Sequence, residues 1–139
     1  MDPNSLNAIK GAAGAGGGGF DLIVGNQAWS SPHMTAYPWT SGTGFGTKYA
    51  DPSSALYTGY DVCEGITFSP DGADLAIAHS RPPRITVYSW SSGFGTKYAD
   101  PSTLPPGGSH GVAFSPDVAD LAVAHHDSPY ISVYPWSSG

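Results

Sequence analysis

Charge is scarce in this chain: Asp, Glu, Lys and Arg make up 12% of its 139 residues, about half the usual share. That shortage argues against a helical bundle, whose solvent face is built from Lys, Glu and Ala. Cations are the scarcest. Five Lys and Arg stand against eleven Asp and Glu, for a net charge of −6 and no basic run. A nucleic-acid partner, which needs clustered cations for its phosphates, is therefore not expected. The single cysteine, Cys63, excludes an intramolecular disulfide and a cysteine-rich zinc site. No stretch reaches the roughly 20 apolar residues of a spanning helix, so membrane insertion is not expected. Nor does the N-terminus read as a secretory signal, since Asp2 precedes one lysine and no continuous apolar core follows.

What the chain has in quantity is 19 glycines, 13 prolines and 12% aromatic residues. Aromatics supply the area that a core needs and argue against disorder. Gly and Pro in this number suit short strands joined by tight turns. The arrangement is repetitive. GFGTKYADPS stands at 44–53 and again at 93–102. GITFSPDGADLAIAHS at 65–80 returns as GVAFSPDVADLAVAHH at 111–126, and RITVYSWSSG at 84–93 returns as YISVYPWSSG at 130–139. A looser copy, MTAYPWTSG, occupies 34–42. The spacing is 46 residues for both Phe68 to Phe114 and Tyr88 to Tyr134. Three blocks repeating in one order exclude chance.

Each unit reads as four strands. GITFS is the first, and Ser-Pro-Asp-Gly then turns the chain: Pro70 presets φ, and Gly72 accepts φ > 0. ADLAIAH is the second. ITVYSW, with its period-2 alternation, is the third, and GTKYADP, closed by proline, is the fourth. Strands are predicted near 21–25, 34–39, 46–50, 65–69, 74–79, 84–90, 95–99, 111–115, 120–126 and 130–136. Phe68 and Phe114, Leu75 and Leu121, Ile85 and Ile131, and Val87 and Val133 are expected to be equivalently buried. Val118 replaces Gly72 at the turn, where a β-branched residue at φ > 0 is strained.

A four-stranded unit with a period in the forties is the signature of a β-propeller blade. The order FSPDG, LAIA, ITVYSW resembles the WD-repeat superfamily; the resemblance covers roughly residues 20–139, with the FSPDG turn its most specific part. The match departs from that family at two points. Trp90 and Trp136 follow Ser or Pro, so the Trp-Asp dipeptide is missing, and His110 lies only four residues before Phe114. The family's His–Asp network does not carry over. The GFGTKYADP-type units are also similar to repeats in structural proteins of tailed bacteriophages, which implies a virion setting; otherwise the chain is read as soluble.

The expected fold is all-β, with propeller-like units at about 20–52, 65–101 and 111–139 following an N-terminal arm at 1–19. In the first unit the Gly-rich run stands where the first strand belongs. The third unit, over 111–139, supplies three strands without the GFGTKYADP block, so the expected strands number ten, about two and a half blades, against the roughly 4–8 blades of a closed ring. Other copies, another structural protein or further sequence would have to cover the open ends. In the arm, Asn4 or Ser5 is placed to cap a short helix over 6–13, with Leu6 and Ile9 as its apolar face. The arm reads as a disordered tail or as a docking element, followed by a Gly-rich linker.

No catalytic constellation is evident, and no cofactor or metal is expected. GTGFGTK lacks the phosphate-loop spacing. His125 and His126 are adjacent on a strand and point to opposite faces, so they cannot share one ion; His125 matches His79, which suggests a packing role. The carboxylates occupy repeated turn and strand-start positions, and no Ser-His-Asp order or GxSxG elbow appears. Cys63 reads as a buried free thiol. The recurring Tyr-x-Trp pairs, Tyr37 and Trp39, Tyr88 and Trp90, and Tyr134 and Trp136, each lie on one face of a strand. They read either as inter-blade core or as an aromatic platform for a glycan or a protein. The leading expectation is a non-enzymatic structural or interaction protein of a virion. The alternative is a lectin-like propeller, and a propeller hydrolase is disfavoured.

Overall fold

The computed structural model describes residues 7–13, 19–25, 34–53 and 63–137. Eleven strands and no helix occur among them, in three antiparallel sheets. The first sheet runs β1 (Asn7–Ala13), β2 (Gly19–Gly25), β3 (Met34–Thr40) and β4 (Gly44–Phe45). The second runs β5 (Cys63–Phe68), β6 (Asp74–His79), β7 (Ile85–Trp90) and β8 (Phe94–Lys97). The third has β9 (Ser109–Phe114), β10 (Asp120–His125) and β11 (Ile131–Pro135). The strands β1, β5 and β9 neighbour one another along one side. The architecture is therefore all-β and propeller-like, with the ring not closed.

The register is the same in every unit. Leu22 pairs with Tyr37, Leu75 with Tyr88 and Leu121 with Tyr134 across the second and third strands. The turn between first and second strands is also repeated. Gly72 N–H donates to Ser69 O at 2.8 Å and Val118 N–H to Ser115 O at 3.0 Å. Ser69 Oγ donates to Asp71 at 2.5 Å and accepts from Asp74 N–H at 2.9 Å; Ser115, Asp117 and Asp120 repeat both bonds. These serine hydroxyls, followed by the backbone N–H groups of Ala73 and Ala119, hold the Asp71 and Asp117 carboxyls below their ordinary range. Val118 keeps the glycine's conformation, with φ 61° against 73° at Gly72. The turn type is thus unchanged and the third unit bears the strain.

Three expectations are corrected. First, the segment expected as a helix over 6–13 is strand β1, paired from Asn7 with Gly25 to Ala13 with Phe20. It supplies the first strand that the first unit was expected to lack. A lone short helix has little stability of its own, whereas the edge of β2 offers a ladder of unpaired backbone groups. Leu6 and residues 14–18 lie outside the described residues. Second, the strand expected at 46–50 is replaced by the two-residue β4 at Gly44–Phe45. Pro38 accepts from Gly46 N–H at 2.8 Å but has no N–H to return, which ends the regular ladder there.

The third correction concerns burial. Leu75 and Leu121 are both buried, and Phe68 and Phe114 are both half-buried. Ile85 and Val87, however, are 3% and 7% exposed, while Ile131 and Val133 are 54% and 58% exposed. The residues are the same and the strand is the same. What differs is the neighbour. The Ile85/Val87 face is covered by the third sheet, and among the described residues nothing covers the Ile131/Val133 face.

Candidate functional site

Two apolar cores lie between the sheets. One joins Ile23, Met34 and Ala36 of the first sheet to Ile66, Leu75, Ile77, Tyr88 and Trp90 of the second. The other joins Ala76, Ile85 and Val87 of the second to Leu121, Val123, Tyr134 and Trp136 of the third. Period-2 alternation puts Leu75 and Ile77 on one face of β6 and Ala76 and Ala78 on the other. Every sheet therefore has an aromatic face, carrying Leu, a β-branched residue, Tyr and Trp, and a smaller aliphatic face. The aromatic face of one sheet seats on the aliphatic face of the sheet before it.

A polar clamp accompanies each seat. The Asp21 carboxylate accepts from Tyr49 O–H at 2.7 Å and from the Trp90 indole N–H at 2.8 Å. Asp74 accepts from Tyr98 O–H at 2.7 Å and from the Trp136 indole at 3.0 Å. In each case the tyrosine follows the aspartate's own sheet and the tryptophan comes from the next one. Two donors satisfy both oxygens of a carboxylate that, for Asp74, is fully buried. Burial, then the hydrogen bond to the carboxylate, pushes the Tyr49 and Tyr98 hydroxyls up to about 12. Burial pushes Tyr88 to about 12 as well.

Above each clamp lies an open cleft. The one between the second and third sheets has a volume of about 450 Å³, and its walls include Tyr98, Asp100, Tyr134 and Trp136. The one between the first and second sheets measures about 300 Å³; its walls include Tyr49, Asp51 and Trp90, the equivalents of Tyr98, Asp100 and Trp136, together with Phe94. Lys48 with Asp51, and Lys97 with Asp100, form matching ion pairs on the rims.

The six aromatic residues singled out in the sequence are divided by their position in the stack. Tyr88 and Trp90 are buried in the first junction. Tyr134 and Trp136 are half-buried in the second. Tyr37 and Trp39 are half-buried on the aromatic face of the first sheet, which no other sheet covers among the described residues, and Trp39 stacks with Phe20 and meets Phe45 edge-on. Ile9 lies in β1. His79 and His125 are buried and bond Thr86 and Ser132 on the neighbouring strand. His126 is exposed on the other side, with its ring against His110, which also pairs with Glu64. Cys63 is buried beside Gly25. Among the described residues no three His, Cys, Asp or Glu converge as metal ligands.

Sequence reasoning missed the clamp. It read Asp74 and Asp120 as turn and capping residues and did not single out Asp21. A signal was present: an aspartate precedes the leucine of every second strand, and a tyrosine recurs in each KYADP block. Spacing does not reveal that aspartate, tyrosine and tryptophan from three separate segments meet.

No protein-family model and no curated protein matches this sequence. Among solved structures the chain is similar to the β-propeller domain of Cps50 (Swd1) from Myceliophteria thermophila, with a TM-score of 0.59 and 12% identity. The match covers 84% of this chain and 37% of that one. At that identity the likeness is one of fold. It supports the reading of the repeats as propeller blades. No helix among the described residues is long and apolar enough to cross a membrane.

Proposed function

We propose that this chain is a non-enzymatic interaction module whose working surfaces are its open sheet faces. The observation that carries the reading is the exposure of Ile131 and Val133, 54% and 58%, at positions whose repeat equivalents Ile85 and Val87 are buried by a neighbouring sheet. Contiguous apolar faces of this kind are sites of protein association. Within that reading, the likeness of the GFGTKYADP-type repeats to tailed-phage structural proteins suggests a virion as the setting. The test is a photo-cross-linking residue placed at position 133 of the full chain in its native assembly. Cross-links to protein, whether another copy or a different chain, are expected. Their absence, with the chain folded, overturns the reading.

A second reading is carbohydrate binding, favoured by the repetition of a Tyr- and Trp-walled cleft at both junctions. Clefts of this size are within the range of small-ligand sites. A glycan array followed by Trp136→Ala tests it: specific binding lost in the variant supports a lectin, and an array without a hit removes it.

A further inference from the structure

Among the described residues, one half-buried face of the first sheet and one exposed face of the third match the two halves of a junction this chain already contains. At the second junction, Leu121, Val123, Tyr134 and Trp136 of the third sheet seat on the second sheet, whose facing strands carry Ala76, Ala78, Ile85 and Val87. The first half recurs, residue type for residue type, as Leu22, Val24, Tyr37 and Trp39 on the first sheet, in the same register. The second half recurs as Ala122, Ala124, Ile131 and Val133 on the third sheet, again in the same register. The acceptor of the polar clamp recurs with them. Asp120 stands where Asp74 stands, opposite Pro135 as Asp74 is opposite Ser89. Its carboxylate is exposed, and no indole reaches it among the described residues.

We propose that a second copy of this chain docks head to tail, seating its Leu22/Val24/Tyr37/Trp39 face on the Ala122/Ala124/Ile131/Val133 face of the first, with the Trp39 indole N–H donating to Asp120. This rests on the interaction reading above and names its partner. The contact is a continuation of an established interface, so its shape and polar complementarity are already realised once within the chain. It is heterologous, because unlike faces meet, and such contacts close into rings when the rotation permits. Two copies place six sheets around one axis, inside the 4–8 range of closed propellers. Closure covers both of these faces in each copy.

The experiment is sedimentation equilibrium of the full chain and two face variants, Val133→Asp and Trp39→Glu, with circular dichroism confirming the fold of each. The wild type is expected at twice 14.3 kDa. Each variant alone is expected to be monomeric, and an equimolar mixture is expected to form a one-to-one complex through its remaining intact pair of faces. The conservative variants Asp120→Asn and Trp39→Phe, which spare the fold, should each weaken association by about 10-fold, with the double variant no weaker than either. A dimer that Val133→Asp leaves intact overturns the proposal, as does a mixture that fails to complex. A wild-type monomer that cross-links from position 133 to a different protein overturns the second copy but leaves the interaction reading standing. A monomer without such cross-links overturns both.

Discussion

The second and third sheets are nearly the same sequence placed in two environments. From Gly65 to Trp90 and from Gly111 to Trp136, the units share the turn, the strand register and the buried histidine. They differ in what lies on either side. Among the described residues, the second sheet is sandwiched and contributes both of its faces to cores, whereas the third contributes only one. Burial in a stacked-sheet architecture is thus decided by the neighbour, and a residue's own repeat position sets only which neighbour it will meet.

The sharpest way to break that comparison is to truncate matched aliphatic residues. Ile85→Ala should destabilise the chain by about 3 kcal/mol, because it opens a cavity between packed sheets. Ile131→Ala should cost well under about 1 kcal/mol in the uncomplexed chain. Urea midpoints at constant slope check the pair, and equal shifts would contradict the difference in burial.

Next come the aspartates. Asp74→Ala removes the acceptor for both Tyr98 and Trp136 and leaves their donors unmatched, at a cost of about 2–3 kcal/mol. Asp120→Ala at the equivalent exposed site should be nearly silent for the stability of a single chain. Thermal melts at low protein concentration compare the two without contributions from association.

The glycines of the first strands sharpen the comparison further. A Cβ at Gly65 would lie 2.9 Å from His110 O and 3.0 Å from Gly111 Cα, both backbone atoms of the next sheet. At Gly111 the nearest atom is the Ala124 Cβ at 3.7 Å, an ordinary contact. Gly65→Ala should therefore force the two sheets apart and cost about 1–3 kcal/mol. Gly111→Ala should be neutral or mildly stabilising by reducing the freedom of the unfolded chain. Chemical denaturation of both variants decides it.

The turn supplies a smaller effect of opposite sign. Val118 holds φ 61°, where Gly72 holds 73°. Val118→Gly should raise stability by about 1 kcal/mol, and Gly72→Val should lower it by a similar amount. A shift of a few degrees in melting temperature reads out each change.

Alkaline pH gives the last test. Tyr49 and Tyr98 are held up to about 12 from an ordinary 10.0, mainly by burial and then by their bonds to Asp21 and Asp74. A raised folded-state value means that the stabilisation is complete below about pH 10 and is lost as the pH climbs toward 12. The denaturation midpoint should fall over that window, and Tyr98→Phe should flatten part of the fall. An unchanged profile in Tyr98→Phe would separate the clamp from the alkaline transition.

The sequence by itself determined the repeat, the positions of most strands, the Ser-Pro-Asp turn and the two-faced character of each strand. These are local properties: turn chemistry acts over four residues, and side-chain alternation follows from the pleat. It also placed Tyr and Trp together on one face. Three things were decided only by tertiary structure. Asn7–Ala13, with little apolar pattern of its own, became a strand because the edge of β2 was there to pair with it. Asp21 and Asp74 became clamps because a tyrosine and a tryptophan distant in sequence converge on them. Ile85 and Ile131, alike in every local respect, parted in burial because one faces a packed sheet and the other does not. Local patterning sets which side of a strand is apolar; only the three-dimensional arrangement sets whether that side is removed from water, and most of the stabilising free energy comes from that removal.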